Sequence, residues 1–392
     1  MSATADGAVG SAWDVVIVGA GPAGAATAIT LARFGRRVLL IDAQDTPRYK
    51  LGESLPPRAV GLVKHFLGDL DSPQQPFQGV TQTAGNISVW GRDEADVSDF
   101  FFTQTGFGLC IQRVAFDEAL RVKAADAGAI VSKGVRFEDC IPIDDGLFNW
   151  QLKVSAKSGT HHHRTRYVVD GTGRRARVAC LLGKQRIHAD DQLFAYAQWF
   201  SSSEEDDDRY TRIEATPHGW WYSNRLPLVE GGQAMRLVVF HADKDLPEAR
   251  LAASPAGFEQ LLAQSVHIGP LVRGRGYQPY GAIRGAPANS QRVEAYCGNA
   301  WMAVGDAAQA YDPLSSQGIE KALRTGSHAG HMIHYALEDG AQAVSQLGQR
   351  NPYLQQYDEQ QQQLWQTYYS ELQSYYRMQP RWSDHPFWQR RR

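Results

Sequence analysis

The sequence predicts an α/β chain, α+β overall. A doubly wound parallel-sheet domain is interrupted by an inserted antiparallel sheet and followed by a helical C-terminal extension. Three observations lead there. "WDVVIVGAGPAGAATAITLARFGRRVLLIDA" reads as strand, glycine turn, helix, strand, which is how a doubly wound sheet begins. "LFAYAQWF", "GWWYSNRLPL" and "AMRLVVFH" carry the pattern of antiparallel strands. Beyond Gly340, Tyr353, Tyr357, Trp365, Tyr368, Tyr369, Leu372 and Tyr376 recur at roughly helical spacing in a Gln-rich stretch.

A chain of 392 residues suits two intertwined domains with a sizeable core. We place the doubly wound domain at 12–75, 107–190 and 286–340, the inserted sheet at 76–106 and 191–285, and the extension at 341–392. Residues 1–12 read as a loose leader. A net charge of -2 gives no reason to expect nucleic acid. Cys110, Cys140, Cys180 and Cys297 are scattered, which speaks against a disulfide framework or a zinc site and fits a reducing compartment. No signal pattern and no membrane-length apolar run is present, so the expectation is a soluble cytoplasmic protein without a metal.

The first element in order is the turn Gly19-Ala20-Gly21-Pro22-Ala23-Gly24, a G-x-G-x-x-G between strand and helix. Gly19 permits the tight turn, Gly21 lets a pyrophosphate approach the backbone, and Gly24 lets helix and strand pack closely. Asp42, followed by Ala43, ends the next strand where a ribose hydroxyl would need an acceptor. Far downstream, "AVGDAAQAYDPLSSQGIEKAL" ends an apolar strand on Gly305-Asp306 and opens a helix at Gly318. An acid, a tight loop and a helix N-terminus thus converge on one point, and such a terminus stabilises negative charge.

These two segments resemble FAD enzymes of the glutathione-reductase type, whose Rossmann-like domain carries both. The resemblance implies FAD as cofactor, Asp306 on its ribityl chain, and Pro313, Ser316, Gln317, Gly318 and Ile319 beneath the flavin ring. "RYKLGESLPP" is similar to the GE(S/A)xxP segment of flavin hydroxylases and halogenases, which adds Arg48, Lys50, Glu53 and Ser54. "DGTGRRARVA" resembles their DGxGxxS motif, with Ala176 where Ser is usual, and adds Asp170 and Gly171. Arg113 in "CIQRVAFDEAL" matches the arginine these enzymes keep near the FAD phosphates or ribose. Val135 completes the cofactor-binding set. No second nucleotide fingerprint is visible, so NAD(P)H binds transiently or a flavin reductase supplies the electrons.

A narrower resemblance covers nearly the whole chain. "GWWYSNRLPL", "AVGDAAQAYDPLSSQGI" and "RWSDHPFWQRR" look like the maturation flavoproteins of cysteine tryptophylquinone amine oxidases and dehydrogenases. Those serve glycine oxidase, lysine ε-oxidase and quinohemoprotein amine dehydrogenase. The resemblance implies a monooxygenase that uses O2 to hydroxylate a Trp within a precursor polypeptide. Two other readings stay open: a hydroxylase or halogenase of a small aromatic, and a flavin-binding chaperone. Halogenation is disfavoured by residues. No lysine lies between Lys64 and Lys123, Lys64 sits on a helix that should face solvent, the W-x-W-x-I-P motif is missing, and Pro313 to Gly318 contains no acid.

The catalytic candidates are Trp221, His241 and Ser316. Trp221, with Trp220 and Tyr222, either walls a dry site or is plain sheet core. His241 ends an apolar strand and is a candidate base. Ser316 is a candidate anion contact. His161-His162-His163 alternate in direction on an extended segment, which makes them poor co-ligands, and "KSGTHHHRTR" reads as a solvated hairpin turn. "SSSEEDDDR" has too little apolar content to pack and reads as a mobile surface loop. Cys110 reads as a buried, inert thiol. The aromatic C-terminal helix can pack back on the FAD domain or offer a docking surface.

Overall fold

The computed structural model describes residues 12–47, 50–70, 77–102, 106–143, 145–189, 192–227, 232–339 and 351–392. Nearly all of the leader, and Arg48, lie outside the described residues.

Five strands run parallel in the order Trp301–Ala303, Gly159–Asp170, Ala12–Val18, Val38–Asp42 and Ile130–Lys133. Val15, Val16 and Ile17 are fully buried, as expected of a central parallel strand covered on both faces. An antiparallel hairpin, Arg136–Pro142 with Trp150–Ala156, extends this sheet from Gly159–Asp170. Helix Pro22–Arg33 lies against helix Gly318–Glu338. Gly326 makes that closeness possible, because a Cβ there would meet the Ala23 carbonyl. Thr27 Oγ1 donates to both Ala23 O and Gly326 O. The two signature segments, remote in sequence, are therefore packed together.

A second sheet has seven strands in the order Gln278–Pro287, Leu193–Ser202, Ala234–Asp243, Gly219–Arg225, Tyr210–Thr216, Gly85–Val89 and Asp96–Asp99. All neighbours are antiparallel except Tyr210–Thr216 with Gly85–Val89. Both faces are covered. Tyr196, Phe200, Trp221, Val238 and Phe240 pack under the short helices Pro247–Ala252, Pro255–Ala263 and Ile268–Gly274. Ala195, Ala197, Trp220, Leu237 and Val239 face the other way and meet Tyr376, Phe387 and Trp388 from the C-terminus.

The helix Pro352–Arg377 packs back on the body of the protein and buries Leu354, Tyr357, Tyr368, Leu372 and Tyr376. Beyond it, Arg390 and Arg391 bracket the buried Asp243. Among the described residues no helix is long and apolar enough to cross a membrane. None of the four cysteines is in a disulfide, and Cys110 is buried.

Two expectations are corrected. The acidic run is not a mobile surface loop. Asp206 and Asp208 are buried and pair with Arg236, itself wholly buried, at 2.6 and 3.0 Å. Tyr277 Oη donates to Asp206 at 2.7 Å, and Arg212 pairs with Asp208 at 2.8 Å. Burial alone would raise both carboxyls. At Asp206 the Arg236 guanidinium overcomes it, and at Asp208 the Arg212 hydrogen bond and Arg236 do, so both are held below their ordinary range. Composition misread the run because a buried arginine thirty-odd residues away demands these charges. The three histidines follow the turn of the hairpin and stand on its second strand, with His163 turned into the interior.

Candidate active site

The glycines of the first signature form a close three-way contact. A Cβ on Gly24 would strike the Gly19 carbonyl, and one on Gly19 would strike Gly171. Gly19 also has φ +102, open to glycine at low cost. Gly171 N donates to Val18 O, which ties the mid-chain turn to the first strand. Helix Pro22–Arg33 begins at Gly21 with no side-chain cap, so its N–H groups remain available to an anion. Beside Gly21 the nearest atom to a would-be Cβ is Lys50 Nζ at 3.7 Å. Asp42 is only partly committed: its Oδ2 accepts from Ala20 N at 2.8 Å and pairs with Arg121 at 3.0 Å, while Oδ1 accepts from Gln44 N. Oδ1 has capacity for a further donor, while both acceptor sites of Oδ2 are engaged. Val135 N donates to the Asp42 carbonyl, which brings Val135 and Ala43 to the same end of the cleft.

The second signature touches the first. A Cβ on Gly305, which has φ +57, would lie 2.6 Å from Ala23 Cβ. Asp306 follows, with its side chain 41 % exposed and one oxygen 2.8 Å from Lys321 Nζ. Lys321 is wholly buried, also donates to Gln309 O, and stands 4.2 Å from the Tyr311 ring centroid. Desolvation works to raise the Asp306 carboxyl, but Lys321, Arg174 and Lys50 overcome it and hold it ionised below its ordinary range. Burial pulls the Lys321 ammonium down, and Asp306 opposes that.

The loop from Pro313 to Gly318 is set by Asp312, whose Oδ1 accepts from Leu314 N at 2.9 Å. Ser316 adopts φ 50, left-handed for a non-glycine residue, which is a local strain the surroundings must impose. Gln317, Gly318 and Ile319 then open the helix with no side-chain cap, and a Cβ on Gly318 would meet nothing within 4 Å. Two uncapped helix termini, a partly free carboxylate at Asp42, an exposed one at Asp306 and the Lys50 ammonium fit an extended dinucleotide. The residues that would hold FAD there are Gly19 to Gly24, Asp42, Lys50, Asp306 and Pro313 to Gly318, and FAD would supply the redox chemistry.

Other expected contacts go elsewhere. Asp170 is wholly buried, and its oxygens accept from Thr172 N, Thr172 Oγ1 and Ala179 N. It builds its own turn rather than facing the cleft. Arg113 is buried, pairs with Asp117 and donates to Leu51 O at 2.8 Å, so it fastens the segment before Glu53. Glu53 is 1 % exposed, and Ser54 Oγ lies 3.2 Å from Thr211 Oγ1, joining the segment after Glu53 to the seven-stranded sheet.

The catalytic candidates separate. Trp221 points to the face under the short helices, away from Leu51 and Leu314, so it does not wall the site. Strand alternation is the reason: only Trp220 and Tyr222 share the other face. His241 is 3 % exposed and stacks on Trp220 at 3.7 Å. Burial lowers it to about 3, so it is a neutral core group and a poor base. Ser316 remains on the loop with the second signature. Tyr222, on the same strand face as Trp220, packs against the apolar cluster to which Leu51 and Leu314 also belong. It is partly exposed, shares the apolar cluster of Leu51, Trp199, Ile213, Leu226 and Leu314, and donates to Glu53 Oε1 at 2.6 Å.

Sequence reasoning passed over Lys321, Glu53 as the partner of Tyr222, and the two tyrosines that hold the floor loop. Tyr368 Oη accepts from Asp312 N at 2.6 Å and Tyr376 Oη donates to Asp312 Oδ2 at 2.7 Å. A lysine three residues into a helix beside an acid was the available signal for the first.

The profile of the FAD binding domain family matches residues 12–347. The FAD-dependent oxidoreductase LodB of Marinomonas mediterranea is 27% identical over 387 residues, covering 97% of this chain and 96% of LodB. A 1H-pyrrole-2-carbonyl-[peptidyl-carrier protein] brominase of Pseudoalteromonas luteoviolacea is 25% identical, covering 83% and 78%. In fold, the chain is similar to the myxobacterial chondrochloren halogenase CndH, with TM-score 0.80, 22% identity and coverage of 97% and 86%. It is similar also to the peptidyl tryptophan dihydroxylase QhpG, with TM-score 0.69, 22% identity and coverage of 97% and 79%. A fingerprint cradle, an exposed acid packed beside it and a family match over most of its length make this chain a member of the FAD-binding domain family, an FAD-dependent oxidoreductase.

Proposed function

We propose that the protein is a monooxygenase that hydroxylates a Trp side chain in the precursor polypeptide of a quinone-bearing amine oxidase or dehydrogenase. Reduced FAD and O2 supply the oxygen, and NAD(P)H or a flavin reductase supplies the electrons. The observation that carries the reading is the composition of the site around the floor loop. Leu51, Trp199, Tyr222, Leu226 and Leu314 are partly buried and pack against one apolar cluster that also holds Tyr311 and Tyr376, and there is no acid between Pro313 and Gly318. Lys64, the one lysine near the expected halogenase position, is on an exposed helix face and pairs with Asp69. An apolar, aromatic wall excludes water and receives an electron-rich ring. Among the described residues this apolar wall carries no lysine paired with an acid to handle a hypohalous species. Likeness to LodB over almost the full length of both chains supports a shared role, and QhpG supplies a fold precedent for a polypeptide substrate.

The test is a single turnover of the reduced, FAD-loaded protein with a Trp-bearing precursor polypeptide, chloride and bromide together. Mass spectrometry should show gain of oxygen and no halogen. A halogenated product would overturn the reading in favour of a halogenase of the kind its relatives include.

A further inference from the structure

Hydroxylation of an aromatic ring creates a proton problem. Oxygen adds to a ring carbon, a C–O bond forms, and the C–H bond at that carbon must then break. Its electron pair returns to the ring and its proton needs an acceptor. The second oxygen atom of O2 leaves as water, with the two electrons drawn from the reduced flavin. An acceptor must stand at the apolar wall, within reach of the ring. His241 is sealed beneath Trp220, and its Nδ1 has no hydrogen-bond partner among the described residues.

We propose that Tyr222 and Glu53 form the proton-accepting pair: the Tyr222 oxygen takes the ring proton while its own proton passes along the existing hydrogen bond to Glu53 Oε1. This assignment rests on the hydroxylase reading above. Four observations support it. The phenol is partly exposed on the sheet face that shares a cluster with Leu51, Trp199 and Leu314, whereas Trp221 faces away. The bond to Glu53 is 2.6 Å, short for two oxygens and already aligned. Glu53 is 1 % exposed, so bulk water does not compete for its proton. Its second oxygen, Oε2, accepts from Gly52 N at 3.1 Å, which fixes the carboxyl in place.

The surroundings decide the charge of the pair. Arg113, from the helix after the strand Gly108–Ile111, is the cation facing Glu53, but it is already paired with Asp117 and bonded to Leu51 O. Cys110 on that strand faces both groups, and Asn224 lies beside the phenol on its own strand. Arg225 and Arg236 act on Cys110 from the seven-stranded sheet. Burial outweighs the Tyr222 and backbone donors and the Arg113 charge, and pushes Glu53 above the ordinary carboxylate range. Burial, with Glu53 and Cys110 beside it, pushes Tyr222 up strongly. The phenol therefore stays protonated, and it serves as a relay to a carboxylate whose affinity for a proton is increased.

Tyr222→Phe keeps the ring and removes the relay. Two readouts decide the matter. The first is infrared difference spectroscopy of the oxidised, FAD-loaded protein without substrate. A Glu53 carboxyl band should titrate above the ordinary carboxylate range, vanish in Glu53→Gln and shift in Tyr222→Phe. The second is a single turnover with ring-deuterated Trp in the precursor polypeptide, with free tryptophan and a small phenol in the same mixture, each likewise ring-deuterated. Tyr222→Phe should retain FAD, oxidise whichever ring is accepted roughly 100-fold more slowly, and reveal a deuterium effect that the native protein masks. Absence of the band, or a Tyr222→Phe rate and pH profile equal to the native ones, would overturn the pair. Oxygen on a small molecule with both readouts as expected would remove the polypeptide substrate and leave the pair standing.

Discussion

Tyr376, near the end of the C-terminal helix, donates its phenol proton to Asp312 Oδ2 at 2.7 Å, and its own Oη accepts the indole N–H of Trp220 at 3.2 Å. Asp312 in turn fixes Leu314 N. The extension thus reaches through one hydroxyl to the floor of the FAD site and to the second sheet.

Tyr376→Phe deletes that hydroxyl and leaves Asp312 and the Trp220 indole short of a buried partner. We expect a loss of about 1–3 kcal/mol, read as a lower thermal midpoint, together with weaker retention of FAD. A midpoint and an FAD affinity both equal to the native ones would show that the contact holds nothing.

Asp306→Ala removes the carboxylate proposed to hold the ribityl chain and also strips Lys321 of its counter-ion. The variant should purify with little flavin, and visible absorbance of the purified protein measures this. Lys321→Met in the same background should recover stability, because a buried ammonium without its partner costs about 3–5 kcal/mol. It should not recover flavin. Full flavin occupancy in Asp306→Ala would remove that residue from the site.

Glycine requirements differ by position. Gly24→Ala drives a methyl group into the Gly19 carbonyl and should cost about 1–3 kcal/mol along with FAD binding. Gly61→Ala lies on the helix Pro57–Leu67 with nothing within 4 Å of the new methyl. It should stabilise by roughly 0.5–1 kcal/mol and leave FAD binding unchanged. Denaturant midpoints of the two variants should move in opposite directions.

His241 fixes the sign of one pH dependence. Its folded-state value is lowered to about 3 by burial, opposed only by the Trp220 backbone. The unfolded chain therefore takes up this proton first as pH falls. The stability it contributes is present above the ordinary histidine range and is lost between there and about 3. His241→Phe keeps the stack on Trp220 without the proton, so its unfolding midpoint should depend less on pH across that window. An unchanged slope would mean that His241 is not held neutral.

The two signature segments and their meeting were legible because their determinants are local. Gly19, Gly21 and Gly24 act on one turn, and Gly305-Asp306 ends one strand. What was not legible depends on pairing at a distance. Whether Trp220 or Trp221 faces the site is a matter of strand register against Ala234–Asp243, and a one-residue slip exchanges them. Asp206 and Asp208 looked like solvent residues because nothing nearby in sequence reveals Arg236. Asp170 matched a motif, yet all of its accepting capacity goes to Thr172 and Ala179. Glu53 was read as a cofactor residue, and its partner Tyr222 lies 169 positions away.

The most direct measurement is one turnover of reduced, FAD-loaded protein with isotopically labelled O2, offering the Trp-bearing precursor polypeptide, free tryptophan and small phenols side by side. Label on the Trp of the polypeptide alone is the expected result. Label on a small molecule, or peroxide with no labelled product, would contradict the assignment of a protein-borne Trp as substrate.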